Sequence, residues 1–181
     1  MNEQIRFDKY ERKGAYHWKL FAAGGEYRDY VLGLLDWIPK GVAILDVGAG
    51  DGLIASKLGA KGIEFEDTAV RLAVEHGADV IQGDAAALPF GGASFDVVFM
   101  GDVIEHLPDP TAALQEARRV LRPGGNLYVT TPPAAVPVRK YHYREYTPTT
   151  LRVDVEGCGF VQSGEPFTRH ERIHAVFSRA D

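Results

Sequence analysis

A chain of 181 residues that is 45% hydrophobic and 25% charged can build one core of ordinary size but not two, and its composition excludes a long disordered or low-complexity protein. The formal charge of -5 supplies no global field for a nucleic-acid backbone or an anionic membrane, and favours small substrates. Cys158 is the only cysteine, which excludes an internal disulfide and zinc-type Cys clusters. No apolar run reaches the length of a membrane span or signal core, so a cytoplasmic protein is expected.

Tyr27, Tyr30, Val31, Leu34 and Leu35 recur at helical spacing until Pro39 and Gly41 break the pattern, predicting an amphipathic helix near 25 to 37. Strands and helices then alternate. "VAILDV" (42 to 47) predicts a buried parallel strand, followed by a short helix at about 51 to 58, a strand "GIEF" (62 to 65), a helix "DTAVRLAVEHG" (67 to 77) closed by Gly77, and a strand "DVIQ" (79 to 82). "FDVVFM" (95 to 100) is a fourth strand. Asp109 as N-cap and Pro110 at the first helical position open a helix with the stripe Leu114, Ala117, Val120 and Leu121; "RPGG" ends it before a fifth strand, "NLYVTT" (126 to 131). Residues 130 to 148 read as a long loop, Thr147 and Pro148 cap a helix to about Glu156, and "GFVQSGE" with "RIHAVFSR" form a closing antiparallel hairpin.

Such alternation requires right-handed crossovers and a sheet covered on both faces. The expected fold is α/β: a doubly wound, three-layer αβα single domain with a seven-stranded sheet, mostly parallel and ending in an antiparallel hairpin. Residues 1–40 form a helical cap or lid, and 41–178 the core. The ligand crevice belongs at the carboxyl ends of the central strands.

In "DVGAGDG", Gly48, Gly50 and Gly52 stand two apart, so the backbone can bend sharply and approach a ligand, and the helix opening near Asp51 aims unpaired amides at the crevice. A dinucleotide turn needs G-x-G-x-x-G, but Leu53 stands where the third glycine would fall. Asp46, at the strand end, suits a positively charged ligand group better than a pyrophosphate. Glu64 closes the second strand, where an acid takes both ribose hydroxyls of an adenosine; Asp84 can accept from an adenine amino group while the Ala85 amide donates to the ring. Three acids at successive strand ends make one pocket.

These residues resemble the class I S-adenosylmethionine-dependent methyltransferases. Asp46 to Gly52 resembles their D-x-G-x-G-x-G motif, Glu64 their ribose acid and "GDAAALPF" their adenine loop. "FDVVFMGDVIEHLPDP" and "EARRVLRPGGNLYVTTP" resemble the later half of the domain, especially in the branch of ubiquinone and menaquinone biosynthesis enzymes. The resemblance implies a Rossmann-like core and S-adenosyl-L-methionine as cofactor. Asp46, Gly48, Ala49, Gly50 and Gly52 would hold its methionine end, Glu64 and Phe65 its ribose side, and Asp84 and Ala85 its adenine between Leu88 and Phe90, with Met100, Gly101 and Asp102 lining the methionyl side. "EFEDTAV" departs from the family's usual V-D-x-S-P, and the eighteen positions between Asp46 and Glu64 cut the first crossover helix to about two turns.

Methyl transfer from a sulfonium is an in-line displacement that asks the protein to align the acceptor, exclude water and, where needed, remove a proton. His106 is the candidate base, or a loop-ordering residue. No metal is expected; the alternative is a divalent-ion site at Asp102, Glu105 and His106, which resembles the acid and histidine cluster of ubiquinone-type O-methyltransferases. Tyr16, His17 and Trp18, and His142, Tyr143 and Arg144, are the substrate-side candidates, on two aromatic segments able to close over the crevice or simply to pack on the sheet. The expected activity is methylation of O or N on a small molecule, such as a sugar or other secondary metabolite, by a monomer or homodimer without nucleic-acid or membrane partners. The alternatives are a methyltransferase acting on a protein, a non-catalytic cofactor-binding protein, and an NAD-dependent oxidoreductase.

Overall fold

The computed structural model describes residues 9–134 and 142–180. It opens with helices α1 (Lys9–Lys13), α2 (Tyr16–Ala23) and α3 (Glu26–Trp37). Gly24 and Gly25, at φ 86° and 72°, turn the chain between α2 and α3 through backbone space that a side chain would oppose. The core elements follow as β1 (Ile44–Val47), α4 (Leu53–Leu58), β2 (Lys61–Glu64), α5 (Asp67–Glu75), β3 (Val80–Gln82), β4 (Phe95–Gly101), a one-turn 3-10 helix (Ile104–His106), α6 (Thr111–Val120), β5 (Leu121–Thr131), α7 (Pro148–Glu156), β6 (Phe160–Gln162), β7 (Phe167–Arg169) and β8 (Arg172–Arg179).

The sheet runs β3-β2-β1-β4-β5-β8-β6, with β7 also paired to β8. β1 to β5 are parallel; β8 is antiparallel to β5, β6 and β7. Alternate residues of the central strands feed two cores. Leu45, Val47 and Val98 meet Leu114 and Ala117 of α6 and Leu151 of α7, while Ile44, Val97 and Phe99 meet Leu34 of α3, Leu53 of α4 and Ala73 of α5. This is the three-layer, doubly wound arrangement expected, and its strand order reverses between β1 and β4, where such folds open a crevice.

Local chemistry explains most boundaries. The Thr147 hydroxyl accepts from the Thr150 amide at 3.1 Å, and the Thr150 hydroxyl accepts from the Thr147 amide at 2.9 Å, forming the α7 cap. The N-cap of α6 is Pro110 and not Asp109, because the Pro110 carbonyl accepts the first helical bond from Leu114; Asp109, one residue earlier, accepts from the Thr111 amide at 2.9 Å. α4 spans six residues, between Gly52 and Gly59 in left-handed conformation, which matches the shortened first crossover.

Two more expectations need correction. Among the described residues the sheet has eight strands, not seven: His170 and Glu171, both with positive φ, make a two-residue turn that lets β7 pair with the start of β8. β5 also begins at Leu121 rather than 126, because Leu121 turns extended as α6 ends and pairs with Phe95 before the register shifts to Val97 opposite Asn126. The "RPGG" stretch therefore forms an irregularity within the strand. Residues 135–141 of the expected long loop lie outside the described residues.

Candidate active site

Asp46 is the third residue of β1, paired to Gly62 and Phe99 in the strands on either side. It is 3% exposed and its Oδ2 has no hydrogen-bond partner among the described residues. Burial, reinforced by the Glu64 carboxylate, pushes its pKa up to about 8. After β1 the chain enters the glycine turn, where the Gly48 and Ala49 amides donate to the Ile63 carbonyl at 2.8 and 3.1 Å. Glu64, closing β2, accepts from the Gly50 amide at 2.9 Å and the Glu66 amide at 3.0 Å. Each oxygen keeps a second lone pair for a ligand.

The three glycines make room for protein neighbours. A Cβ at Gly48 would lie 2.3 Å from the Val103 Cγ2, one at Gly50 2.3 Å from the Tyr10 hydroxyl, and one at Gly52 2.6 Å from the Ala78 Cβ. All three have positive φ. The tight turn thus serves packing by α1, α5 and the segment after β4, alongside any ligand approach.

The N-terminal helices dock directly on this turn. Asp51, wholly buried, accepts from the His17 amide at 2.9 Å and lies 3.0 Å from His17 Nδ1, while its carbonyl accepts from Trp18 Nε1 at 2.8 Å. Trp18 also stacks on His76 at 4.9 Å, and His17 on Tyr27 at 5.6 Å. Tyr10 and Tyr16 add to this cover, with burial raising both phenol pKa values well above the usual range. Sequence reasoning missed Asp51 and Tyr10; an acid inside a glycine turn, with an His-Trp doublet upstream, was the available signal.

The opposite wall of the crevice starts where β4 ends. Asp102, at φ 54°, donates its amide to the Thr130 carbonyl at 2.9 Å. It accepts from Arg172 Nε at 2.6 Å, and the guanidinium lies 4.6 Å from the Tyr30 ring centre. Glu105 is buried, with Oε2 accepting from Thr131 at 3.0 Å and Oε1 without a hydrogen bond among the described residues. Burial, with the Asp102 charge second, pushes its pKa up to about 8. His106 Nε2 stands 4.0 Å from that Oε1, and the His106 ring packs edge-on to His142 at 4.8 Å.

The metal-type grouping is therefore Glu105, His106 and His142, whose ligand atoms lie within 4.8 Å of one another. Asp102, placed in that set by the sequence, is engaged by Arg172 instead. The substrate-side candidates also separate: Tyr16, His17 and Trp18 cover the glycine turn, and Tyr143 donates its amide to the Glu105 carbonyl at 2.9 Å. Arg144 turns away to the Pro108 carbonyl and Asp154.

On the adenine side, the exposed Asp84 accepts from the Ala86 amide at 2.8 Å, ordering its loop. Leu88 is buried in the main core and Phe90 packs edge-on to Phe95 at 5.2 Å, while Phe65 stays exposed beside Glu64. Met100 is fully buried, and Gly101 fits because a Cβ there would meet the Phe99 ring at 2.5 Å.

The match to known proteins agrees with this geometry. A methyltransferase-domain profile matches residues 45–129. The demethylmenaquinone methyltransferase of Staphylococcus aureus is 36% identical over 168 residues, covering 80% of this chain and 69% of its own. The chain belongs to the class I S-adenosylmethionine-dependent methyltransferases. Another member, the ubiquinone biosynthesis O-methyltransferase of Xanthomonas oryzae pv. oryzae, is 38% identical over 117 residues, which is 57% of this chain and 47% of that protein. This methyltransferase thus spans about half the length of such relatives. In structure, a methyltransferase of Thermotoga maritima superposes with a TM-score of 0.75 at 20% identity over 95% of both chains, a likeness of fold. Among the described residues of the methyltransferase, no helix is long and apolar enough to cross a membrane.

Proposed function

We propose that this methyltransferase transfers the methyl group of S-adenosyl-L-methionine to an oxygen or nitrogen of a small molecule. The observation that carries the reading is the Asp46 carboxylate, buried at the switch point with one oxygen lacking a hydrogen-bond partner among the described residues, beside Glu64 on the neighbouring strand. A cationic methionine end satisfies the first acid, and ribose hydroxyls fit the remaining lone pairs of the second. The cofactor brings the methyl group and its own leaving group.

The residues of the chain then have separable tasks. Asp46, Gly48, Ala49, Gly50 and Gly52 hold the methionine end, Glu64 and Phe65 the ribose side, and Asp84 and Ala85 the adenine. The α1–α2 segment is a cap that keeps water from the reacting centre, anchored through His17 and Trp18. His106 is the candidate acceptor of a proton released by the substrate, and Asp102 and Tyr143 border the space for that substrate. Quinone-biosynthesis relatives support a small acceptor over a protein.

Calorimetric titration with S-adenosylhomocysteine and with NAD tests the cofactor, and a panel of hydroxylated and amino metabolites tests transfer. Binding of S-adenosylhomocysteine with methylation of one panel member is expected. NAD binding alone would remove this reading, and cofactor binding with no methylated acceptor would leave a binding protein.

A further inference from the structure

A cavity of about 240 Å³ lies between α3 and the β7–β8 hairpin. Tyr30 separates it from the crevice: its hydroxyl lies 3.3 Å from that of Thr130 and its ring lies under Arg172, while His170 and His174 stand edge-on to it at 6.0 and 6.4 Å. The walls are aromatic. Phe167 stacks on His174 at 4.7 Å and 11°, and Trp37 stands edge-on to both, at 5.8 and 4.9 Å. Such walls favour a planar ring, and a volume below the usual range for drug-sized ligands limits it to a single ring.

The polar groups specify its substituents. His174 is 4% exposed, yet among the described residues neither of its ring nitrogens completes a hydrogen bond, nor does Nε2 of His170. Burial lowers the His174 pKa to about 4 against the pull of the Arg169 backbone, so at neutral pH this ring offers one donor and one acceptor. Asp36, at the rim, has its counter-ion in Lys40 at 3.8 Å. Arg169 has none among the described residues. Its guanidinium lies along α3 at Gly33, where a Cβ would come within 3.4 Å. The unmatched charge of the cavity is positive.

We propose that this cavity binds a single-ring aromatic carboxylate, its ring against the aromatic wall formed by Trp37, Phe167 and His174 and its carboxylate on Arg169. The site is separate from the methyl-transfer crevice, and its test needs no activity.

Benzoate, benzamide and benzylamine are titrated calorimetrically into the whole chain, and Trp37 fluorescence is followed in a Trp18→Phe background, since the chain has two tryptophans. Saturable benzoate binding is expected, at least about tenfold tighter than for benzamide or benzylamine, as loss of one charge-assisted bond implies. Arg169→Gln, on an exposed hairpin, should weaken benzoate about tenfold and leave S-adenosylhomocysteine affinity unchanged. Absence of saturable benzoate binding up to about 10 mM, equal affinity for all three probes, or benzoate binding unaltered in Arg169→Gln would each overturn the proposal. The ligand series uses the native chain, so it decides the matter even if a variant fails to fold.

Discussion

His17 and Asp51, thirty-four positions apart, form a two-point contact: the His17 amide donates to Asp51 Oδ2 at 2.9 Å, and its Nδ1 lies 3.0 Å from Oδ1. A fully buried carboxylate is tolerated only when its oxygens are satisfied, so the glycine turn depends on α2 being docked. His17→Ala should therefore lower stability by about 1 to 3 kcal/mol, and Trp18→Phe, which loses one bond to the Asp51 carbonyl, by about 1 kcal/mol. Urea unfolding measures both; unchanged midpoints would show that the helix is not needed to hold the turn.

Tyr10 and Gly50 should behave as a coupled pair. Alanine at Gly50 meets the Tyr10 hydroxyl at 2.3 Å and must also adopt φ +57°, and the left-handed conformation alone costs about 1 to 2 kcal/mol. A double-mutant cycle with Tyr10→Ala should recover the steric part and leave the backbone part. Simple additivity would mean that Tyr10 moves aside freely.

Asp46 should make both stability and ligand binding depend on pH. Its folded pKa, raised to about 8 by burial and then by Glu64, exceeds the ordinary value of 3.8, so the folded state holds a proton that the unfolded chain gives up. The associated stability is present below about pH 4 and is lost as pH rises through about 8. Glu105, also raised to about 8, acts in the same direction. Asp46→Asn should flatten the fall in melting temperature between pH 4 and 8. A cationic ligand needs the charged acid, so S-adenosylhomocysteine affinity should rise with pH, by up to about tenfold per unit, until about pH 8. A pH-independent affinity would place the ligand amine elsewhere.

Glu64→Ala removes the acceptor proposed for the ribose, and the acceptor of the Gly50 and Glu66 amides. S-adenosylhomocysteine should bind more weakly by about 1 to 3 kcal/mol. Glu64→Gln, which keeps one carbonyl oxygen, should recover part of that loss. Calorimetry reads both, and wild-type affinity in Glu64→Ala would mean that this acid does not touch the cofactor.

Arg172→Ala should cost about 1 to 3 kcal/mol in stability, because it leaves Asp102 without its 2.6 Å partner in a partly buried place. His106→Ala tests a different role. If His106 takes the acceptor's proton, the methylation rate falls while cofactor affinity stays near wild type; an intact rate would leave it ordering the loop.

Much of this was legible in the sequence because it is local. The glycine spacing, the Thr147 cap and the alternation of apolar runs depend on neighbours within a few residues, so β1, α5 and α7 fall near their expected limits. Family motifs likewise placed Asp46 and Glu64 on adjacent strand ends. Edge elements were less legible: β7 is three residues long and exists only because β8 offers it an edge, and the early start of β5 at Leu121 depends on Phe95, twenty-six positions upstream.

The amino-acid order by itself determined the doubly wound α/β fold and the acids at its switch point, since periodicity, turn chemistry and motif spacing are properties of short stretches. Only the tertiary structure decided which side chains meet there. Antiparallel β8 begins at the carboxyl edge of β5 and so carries Arg172 to Asp102, seventy positions away. The fold also seats α2 on Asp51 and fills the space at Gly50 with Tyr10. No spacing rule encodes those contacts, because a buried charge or a missing Cβ states that a partner is needed without naming it.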